Sequence, residues 1–405
     1  MSVTLAGVRA AAKRIEDGVV RTPTRLSEAL SRRTGTSVTV KYENLQHTGA
    51  FKARGALSRM ALLSDAEKRR GVVAMSAGNH AQGVAFQAGR LNIPAVIVMP
   101  KGTPFVKVRK TSEYGATVEL EGDTLDDAAA HARALADERG LTFVHPYDDD
   151  DVIAGQGTIG LEMLEDAPDV DVLVVPVGGG GLIAGTATAA KGLKPGIEII
   201  GVEPELYPSL SNALKQQSAP CGGSTIGEGI AVKKIGTAPM PCIEEHVSDV
   251  LAVSETSMER AVSMFLSHDK VVAEGAGAAS LAALLQYPDR FSGRHVGLIL
   301  SGGNIDARML SSVLMRDLVR LGQVLTLSIV MPDKPGQLHA VAGICADLGA
   351  NVLEVAHTRF AMDLSASAAR LNITIETRGE DHAKQVIDRL TEEGFTIRIK
   401  DPTAP

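Results

Sequence analysis

A chain of 405 residues exceeds the length at which one hydrophobic core stops growing, about 250–300 residues, so at least two structural units are expected. Apolar residues at 44% and charged residues at 22% are the usage of a folded globular protein and exclude a disordered or fibrous chain. A net charge of -7 without a long Lys/Arg block argues against nucleic acid as a partner, and no apolar run approaches membrane-spanning length.

The first residues, MSVTLAGVRAAAKRIEDG, carry charges through their apolar positions and predict an amphipathic helix, not a signal peptide. From about Val38 to about Arg320, short runs rich in Val and Ile alternate with helix-period segments, the pattern of parallel sheets covered on both faces. Strands are predicted at Val38 to Tyr42, Gly71 to Met75, Ala95 to Met99, Ala116 to Leu120, Val172 to Val177, Ile197 to Val202 and His295 to Leu300. Helices are predicted between them, at Phe51 to Leu63, Asn79 to Leu91, Thr124 to Glu138, Val152 to Glu165 and Met258 to Ser267. The stretch from Ala219 to Pro241, rich in Pro, Gly and Ser, breaks the periodicity and predicts a long irregular connection. After a helix at Asp306 to Leu321 the pattern becomes strand, helix, strand, strand, helix, strand, a compact α+β unit, and a domain boundary is expected near Gly322. The tail from Asp401 to Pro405 is expected to fray.

Cys221, Cys242 and Cys345 are widely spaced and form no C-x-x-C pair, which suits neither a disulfide framework nor a zinc site. A cytoplasmic location and no metal are therefore expected. Asn372-Ile373-Thr374 matches a glycosylation acceptor, read as chance without a secretory signal.

Three turns carry chemistry. Gly178, Gly179, Gly180 and Gly181 follow a buried strand and precede a helix, where backbone N–H groups and the positive helix end make a phosphate site. On this loop alone a nicotinamide oxidoreductase is a rival, since Gly179, Gly181 and Ala184 satisfy a looser dinucleotide fingerprint and Glu203 ends the next strand. Lys52, just after Phe51, opens a helix, where the dipole and partial burial favour the neutral amine that attacks a carbonyl. Ser76-Ala77-Gly78-Asn79-His80 again joins strand to helix and can hold a carboxylate on backbone N–H groups. Asn79 is equally a helix cap or a donor to a phenolate oxygen. Ser301, in the turn after the last strand, offers a hydroxyl suited to a neutral ring nitrogen.

Together these segments resemble the fold-type II pyridoxal-phosphate enzymes and, within them, the threonine dehydratase (threonine ammonia-lyase) group. The likeness runs in order through TGAFKARGA, SAGNHAQG, VIAGQGTIGLE, VVPVGGGGLIAG, EGIAVKKIG, EGAGAASLAAL and LSGGNID. It implies an α/β, tryptophan synthase β-like catalytic domain over residues 1–321 with pyridoxal 5'-phosphate as cofactor. Lys52 would form the Schiff base, Phe51 pack on the cofactor ring, Asn79 meet its phenolic oxygen and Ser301 its nitrogen. Gly178 to Gly181 with Leu182 would bind the phosphate, and Ser76, Ala77, Gly78, Asn79 and His80 the substrate carboxylate. Ala50 departs from the serine that many relatives carry there.

Residues 322–405 resemble an ACT domain, through Leu325 to Val330, Pro332 to Leu338 and Gly349 to Val352. That likeness implies an α+β regulatory unit, pairing between subunits of a dimer or tetramer, and an amino-acid effector contacted by Gln337, Leu338 and Asn351. The implied activity is dehydration and deamination of L-threonine, with L-serine, to 2-oxobutyrate or pyruvate plus ammonia. Alternatives are a 3-hydroxyaspartate dehydratase, a serine racemase, a β-replacement enzyme or a non-catalytic amino-acid sensor. Ala77 stands where racemases of this fold type carry a serine, which disfavours racemisation.

Overall fold

The computed structural model describes residues 3–359 and 362–400, so the tail expected to fray lies outside the described residues. The chain divides into two compact units, residues 1–305 and 306–405. The helix Ala307–Arg320, placed by its periodicity in the first domain, groups with the second unit, where it packs on the strand Val324–Pro332.

Within the first unit the strands sort into two sheets. The larger runs Thr24–Leu26, Ser37–Tyr42, His295–Leu300, Val172–Pro176, Glu198–Pro204, Asp249–Val253 in spatial order, parallel throughout except for the first, antiparallel pair. The smaller is wholly parallel, in the order Thr117–Leu120, Ala95–Met99, Val72–Met75, Thr142–Phe143. Helices are the right-length connections for parallel neighbours, and the central strands Ala95–Met99, Val172–Pro176 and His295–Leu300 are buried and read as near-continuous apolar runs, whereas the edge strand Thr117–Leu120 has no buried residue. Separate cores confirm the division, one around Ile153, Val175, Ile183 and Ile199, the other around Val84, Ile97 and Met99.

The amino-terminal segment forms the helix Leu5–Ile15, capped by the Thr4 side chain and buried along Val8, Ala11 and Ile15. The irregular connection between Ala219 and Pro241 is interrupted only by the short 3-10 turn Glu228–Ile230 and the start of the helix Met240–His246. The helix predicted from Met258 begins earlier, at Glu255, and ends in a π turn, Phe265–Asp269.

The second unit has the expected strand and helix order, with an antiparallel sheet arranged Asn351–Thr358, Ala368–Glu376, Val324–Pro332, Thr396–Lys400. Asn372 lies mid-strand between two paired neighbours, not on the exposed loop a glycosylation acceptor needs. All three cysteines are free.

Candidate active site

Parallel strands bring the predicted turns together at their carboxyl ends, where open α/β sheets place ligands. In the larger sheet Leu300 lies opposite Tyr42, and Leu298 opposite Val174. The turn after Leu300 is therefore flanked by the segment leading to Lys52 and by the glycine loop. Phe51 N–H donates to the Ser301 carbonyl at 3.1 Å, Gly303 N–H to the Gly49 carbonyl at 2.9 Å, and Ala50 bridges Gly302. Ala50 thus has a structural place that needs no hydroxyl.

Lys52 opens the helix Lys52–Met60, and no side chain caps that helix. Its Nζ donates to the Pro146 carbonyl at 2.7 Å and lies 5.0 Å from the Phe51 ring centroid. Burial pushes the amine down to about 8. Two positions later, Arg54 is clamped: Nε and Nη2 each donate to the Glu43 carboxylate at 2.8 Å, while Nη1 and Nη2 reach Glu162 at 2.6 and 2.9 Å. Lys41 Nζ closes the cluster at 2.6 Å from Glu162. Glu43 follows the strand Ser37–Tyr42 and Glu162 lies on the helix Asp150–Asp166, so these pairs pin the start of the Lys52 helix to both elements.

The glycine loop is built for close backbone approach. Gly180 has φ +96°, a conformation L side chains rarely adopt, and the helix Gly181–Leu193 that follows has no side-chain cap. A Cβ on Gly179 would fall 2.3 Å from the Tyr147 ring, and one on Gly178 would meet the Gly229 carbonyl at 3.2 Å. Unclaimed N–H groups at a helix start, in a loop that excludes side chains, suit a phosphate. With the Lys52 amine, which has no acid partner among the described residues, the residues present fit a phosphorylated aldehyde cofactor. Glu203, the carboxylate of the dinucleotide rival, is buried and accepts the N–H groups of Leu210 and Ser211 at 2.8 and 3.1 Å, which commits it to the next helix.

Ser76 Oγ accepts the Gly78 N–H at 3.1 Å, shaping the turn into the helix Asn79–Arg90. A Cβ on Gly78 would meet nothing, so that face of the turn is open. Asn79 does not cap this helix through its side chain: the N-cap is Gly78, and Asn79 Nδ2 donates to Glu274 Oε1 at 2.6 Å. Asn304 Nδ2 donates to Asn79 Oδ1 at 2.8 Å. His80 is buried, with Nε2 2.9 Å from the Val144 carbonyl and Nδ1 unpartnered. Burial foremost, then Lys52, pushes its pKa down to about 3, so the imidazole is neutral and its side chain offers no cation to a carboxylate. Ser301 and Leu182 are both buried.

Sequence reading missed Tyr147, Asn304 and Glu274. The first lies outside every motif considered; the other two sit inside EGAGAASLAAL and LSGGNID, but without a signal that their side chains meet Asn79. In the second unit, Gln337 follows Gly336 at φ +91°, Leu338 is exposed, and Asn351 Nδ2 lies 3.3 Å from Glu376 Oε2. Among the described residues no helix is long and apolar enough to cross a membrane, and no group of three or more His, Cys, Asp or Glu is arranged to hold a metal.

A half-buried amine and a glycine loop shaped to take a phosphate, on one α/β scaffold, fit the class of cofactor-dependent enzymes. The chain belongs to the pyridoxal-phosphate dependent enzyme family, whose model matches residues 15–302, and it carries an ACT domain over residues 325–395. It is 44% identical to the L-threonine ammonia-lyase of Thermotoga maritima over 399 residues, which is 98% of this chain and 99% of that protein. Among solved structures, the processed form of threonine deaminase isoform 2 from Solanum lycopersicum aligns with TM-score 0.74 and 34% identity, covering 80% of this chain and 91% of that one. Maize serine racemase aligns with TM-score 0.73 and 33% identity, covering 79% and 99%.

Proposed function

We propose that this protein is an L-threonine ammonia-lyase that also deaminates L-serine, giving 2-oxobutyrate or pyruvate and ammonia. The observation that carries the reading is the half-buried Lys52 amine, free of any acid partner among the described residues, beside the open Ser76–His80 turn. Likeness to a threonine ammonia-lyase over nearly the whole chain supports the substrate.

Lys52 would hold the cofactor, Gly178 to Leu182 its phosphate, Ser301 its ring nitrogen, Asn79 its phenolic oxygen, and Phe51 would pack on its ring. Bound there, the cofactor supplies an electron sink that lets a Cα proton and then a β-hydroxyl leave. Backbone N–H groups of Ser76 to His80 hold the substrate carboxylate. Lys52, whose amine lies half-buried at the site, would accept the Cα proton as base. The hydroxyl would leave as water on receiving the proton that Lys52 took from Cα, and hydrolysis of the released enamine gives oxo acid and ammonia. Assay of the purified protein across L-threonine, L-serine and 3-hydroxyaspartate tests this; oxo-acid release that needs a second nucleophile, or that occurs only from 3-hydroxyaspartate, overturns it.

The likeness to a serine racemase favours a second reading, which needs an acid on the face opposite the lysine. Ala77 has no ionisable group, and His80 spends Nε2 on the Val144 carbonyl while staying neutral. Little D-serine is therefore expected, and D-serine accumulating as fast as pyruvate contradicts the lyase reading.

We further propose that the ACT domain binds an amino-acid effector near Gln337, Leu338 and Asn351 within a homodimer or homotetramer, and that the enzyme works in the cytoplasm in isoleucine formation. Exposed Leu353 and Val355 on the edge strand Asn351–Thr358 support pairing of that unit. Truncation at Leu321 is expected to abolish any amino-acid response; retained response places the effector site elsewhere.

A further inference from the structure

Thr48 has φ 62°, a left-handed backbone rare for a β-branched residue, immediately before Gly49 at φ 72°. Strain of this kind persists only where the surrounding structure demands it. Here the Thr48 carbonyl accepts Asn304 Nδ2 at 2.6 Å. Since a carbonyl only accepts, that contact fixes which end of the Asn304 amide points to Thr48. The same nitrogen donates its other hydrogen to Asn79 Oδ1 at 2.8 Å, which in turn fixes the Asn79 amide. Asn79 Nδ2 then donates to Glu274 Oε1 at 2.6 Å. Glu274 is held in place by its own N–H, which donates to the Gly302 carbonyl at 3.1 Å, and Gly302 leaves the space its carboxylate fills, since a Cβ there would lie 2.3 Å from Oε1.

Four segments thus make one directed chain, Thr48 carbonyl to Asn304 to Asn79 to Glu274. Asn79 has its carbonyl committed and one N–H committed, leaving a single N–H. We propose that Glu274 and Asn304 are positioning residues that lock the Asn79 carboxamide so that it can offer the cofactor's phenolic oxygen only a donor, never its carbonyl. A carbonyl turned toward that electron-rich oxygen would repel it, so the lock decides the sign of the contact. The strained Thr48 is explained as the fixed end of the chain.

Burial pushes the Glu274 carboxyl up to about 7, Asn79 opposing that rise; Lys107 lowers it and Glu228 raises it slightly from their positions nearby. An ionised Glu274 is the stronger acceptor, so the lock tightens as pH rises through neutrality.

This inference rests on the reading of Asn79 as the contact to the phenolic oxygen, and the experiment keeps the two apart. Wild type, Asn79→Ala, Glu274→Ala, Glu274→Gln and Asn304→Ala are prepared as apoenzymes. Their cofactor affinity and the visible absorption of the bound cofactor are measured from pH 6 to 9, with the thermal midpoint of each apoenzyme as a check on folding. Glu274→Ala and Asn304→Ala are each expected to shift the absorption as Asn79→Ala does and to weaken cofactor binding on the order of tenfold, the worth of one charge-assisted hydrogen bond. Glu274→Gln keeps an acceptor without the charge; it should restore most of the affinity and abolish any spectral change with pH near 7. If Asn79→Ala alone alters the spectrum, the lock is refuted. If Asn79→Ala alters nothing, the assignment of Asn79 fails and the lock with it. Should Glu274→Ala not fold, Asn304→Ala breaks the same chain from its other end and decides the matter.

Discussion

Lys52 and Arg54 sit two positions apart at the start of one helix, and the fold treats their charges in opposite ways. Burial works against the Arg54 charge, but Glu43 and Glu162 more than offset it, so its pKa rises. Among the described residues Lys52 meets a carbonyl and an aromatic ring but no carboxylate, and desolvation pushes it down to about 8. A cation compensated by two acids is an anchor that stays charged. A cation left without one is more readily neutral, as the proposed nucleophile must be, and the anchor pins the start of the same helix.

Removing the nucleophile should give the largest effect: Lys52→Ala is expected to cut oxo-acid production by several orders of magnitude with the fold retained, as for other residues that act at the reacting atoms. Near-normal turnover by that variant would break the comparison at its first term. Removing the anchor should act on stability instead. Arg54→Met leaves the buried Glu43 and the partly buried Glu162 with only Lys41 in compensation and should cost about 3–5 kcal/mol in denaturant unfolding. A loss under about 1 kcal/mol would mean the clamp is not what holds the helix.

Gly180→Ala should weaken cofactor binding by about tenfold, because φ +96° costs an L residue about 1–2 kcal/mol, which the unbound loop sheds by leaving that conformation and must regain to present its N–H groups. Unchanged affinity would take the loop out of the site. The smallest effect is a matter of pH. The folded pKa of Lys52, about 8, lies below its unfolded value, so the unfolded chain binds more protons between about pH 8 and 10.5. Apoenzyme stability should therefore gain a rising component across that window, which Lys52→Met removes; an identical pH profile for the two proteins would show the amine to be solvated. By the same shift, cofactor capture by the apoenzyme should rise with an inflection near 8, since about a quarter of the amine is neutral at pH 7.5 against about a tenth of a percent for an ordinary lysine.

What could be read from the sequence was what is local. The glycine loop is four adjacent residues between a strand and a helix, and Lys52 follows a glycine at a helix start, so each announces itself within a dozen positions. The seven predicted strands all exist, with shifts at their ends, but the alternation is the same in both sheets and could not say that Ala95–Met99 and Val172–Pro176 belong to different ones. Short elements such as Thr24–Leu26 and Thr142–Phe143 carry too few residues for a period. Partners from distant segments were invisible. Glu162 stands 108 positions from Arg54, and Glu274 stands 195 from Asn79. For His80, burial under the Val144 carbonyl, which no pattern of residue types reveals, turns a candidate acid into a neutral ring.

Lys52, and no other amine, is expected to carry the cofactor. Borohydride reduction of the holoenzyme makes a carbonyl–amine link permanent, and mass mapping of the digested chain then locates it. The added mass of the reduced cofactor should appear on the peptide that contains Lys52 and on no other. Its appearance on another lysine, such as the buried Lys41, or its absence from every peptide of an active holoenzyme, would contradict the account.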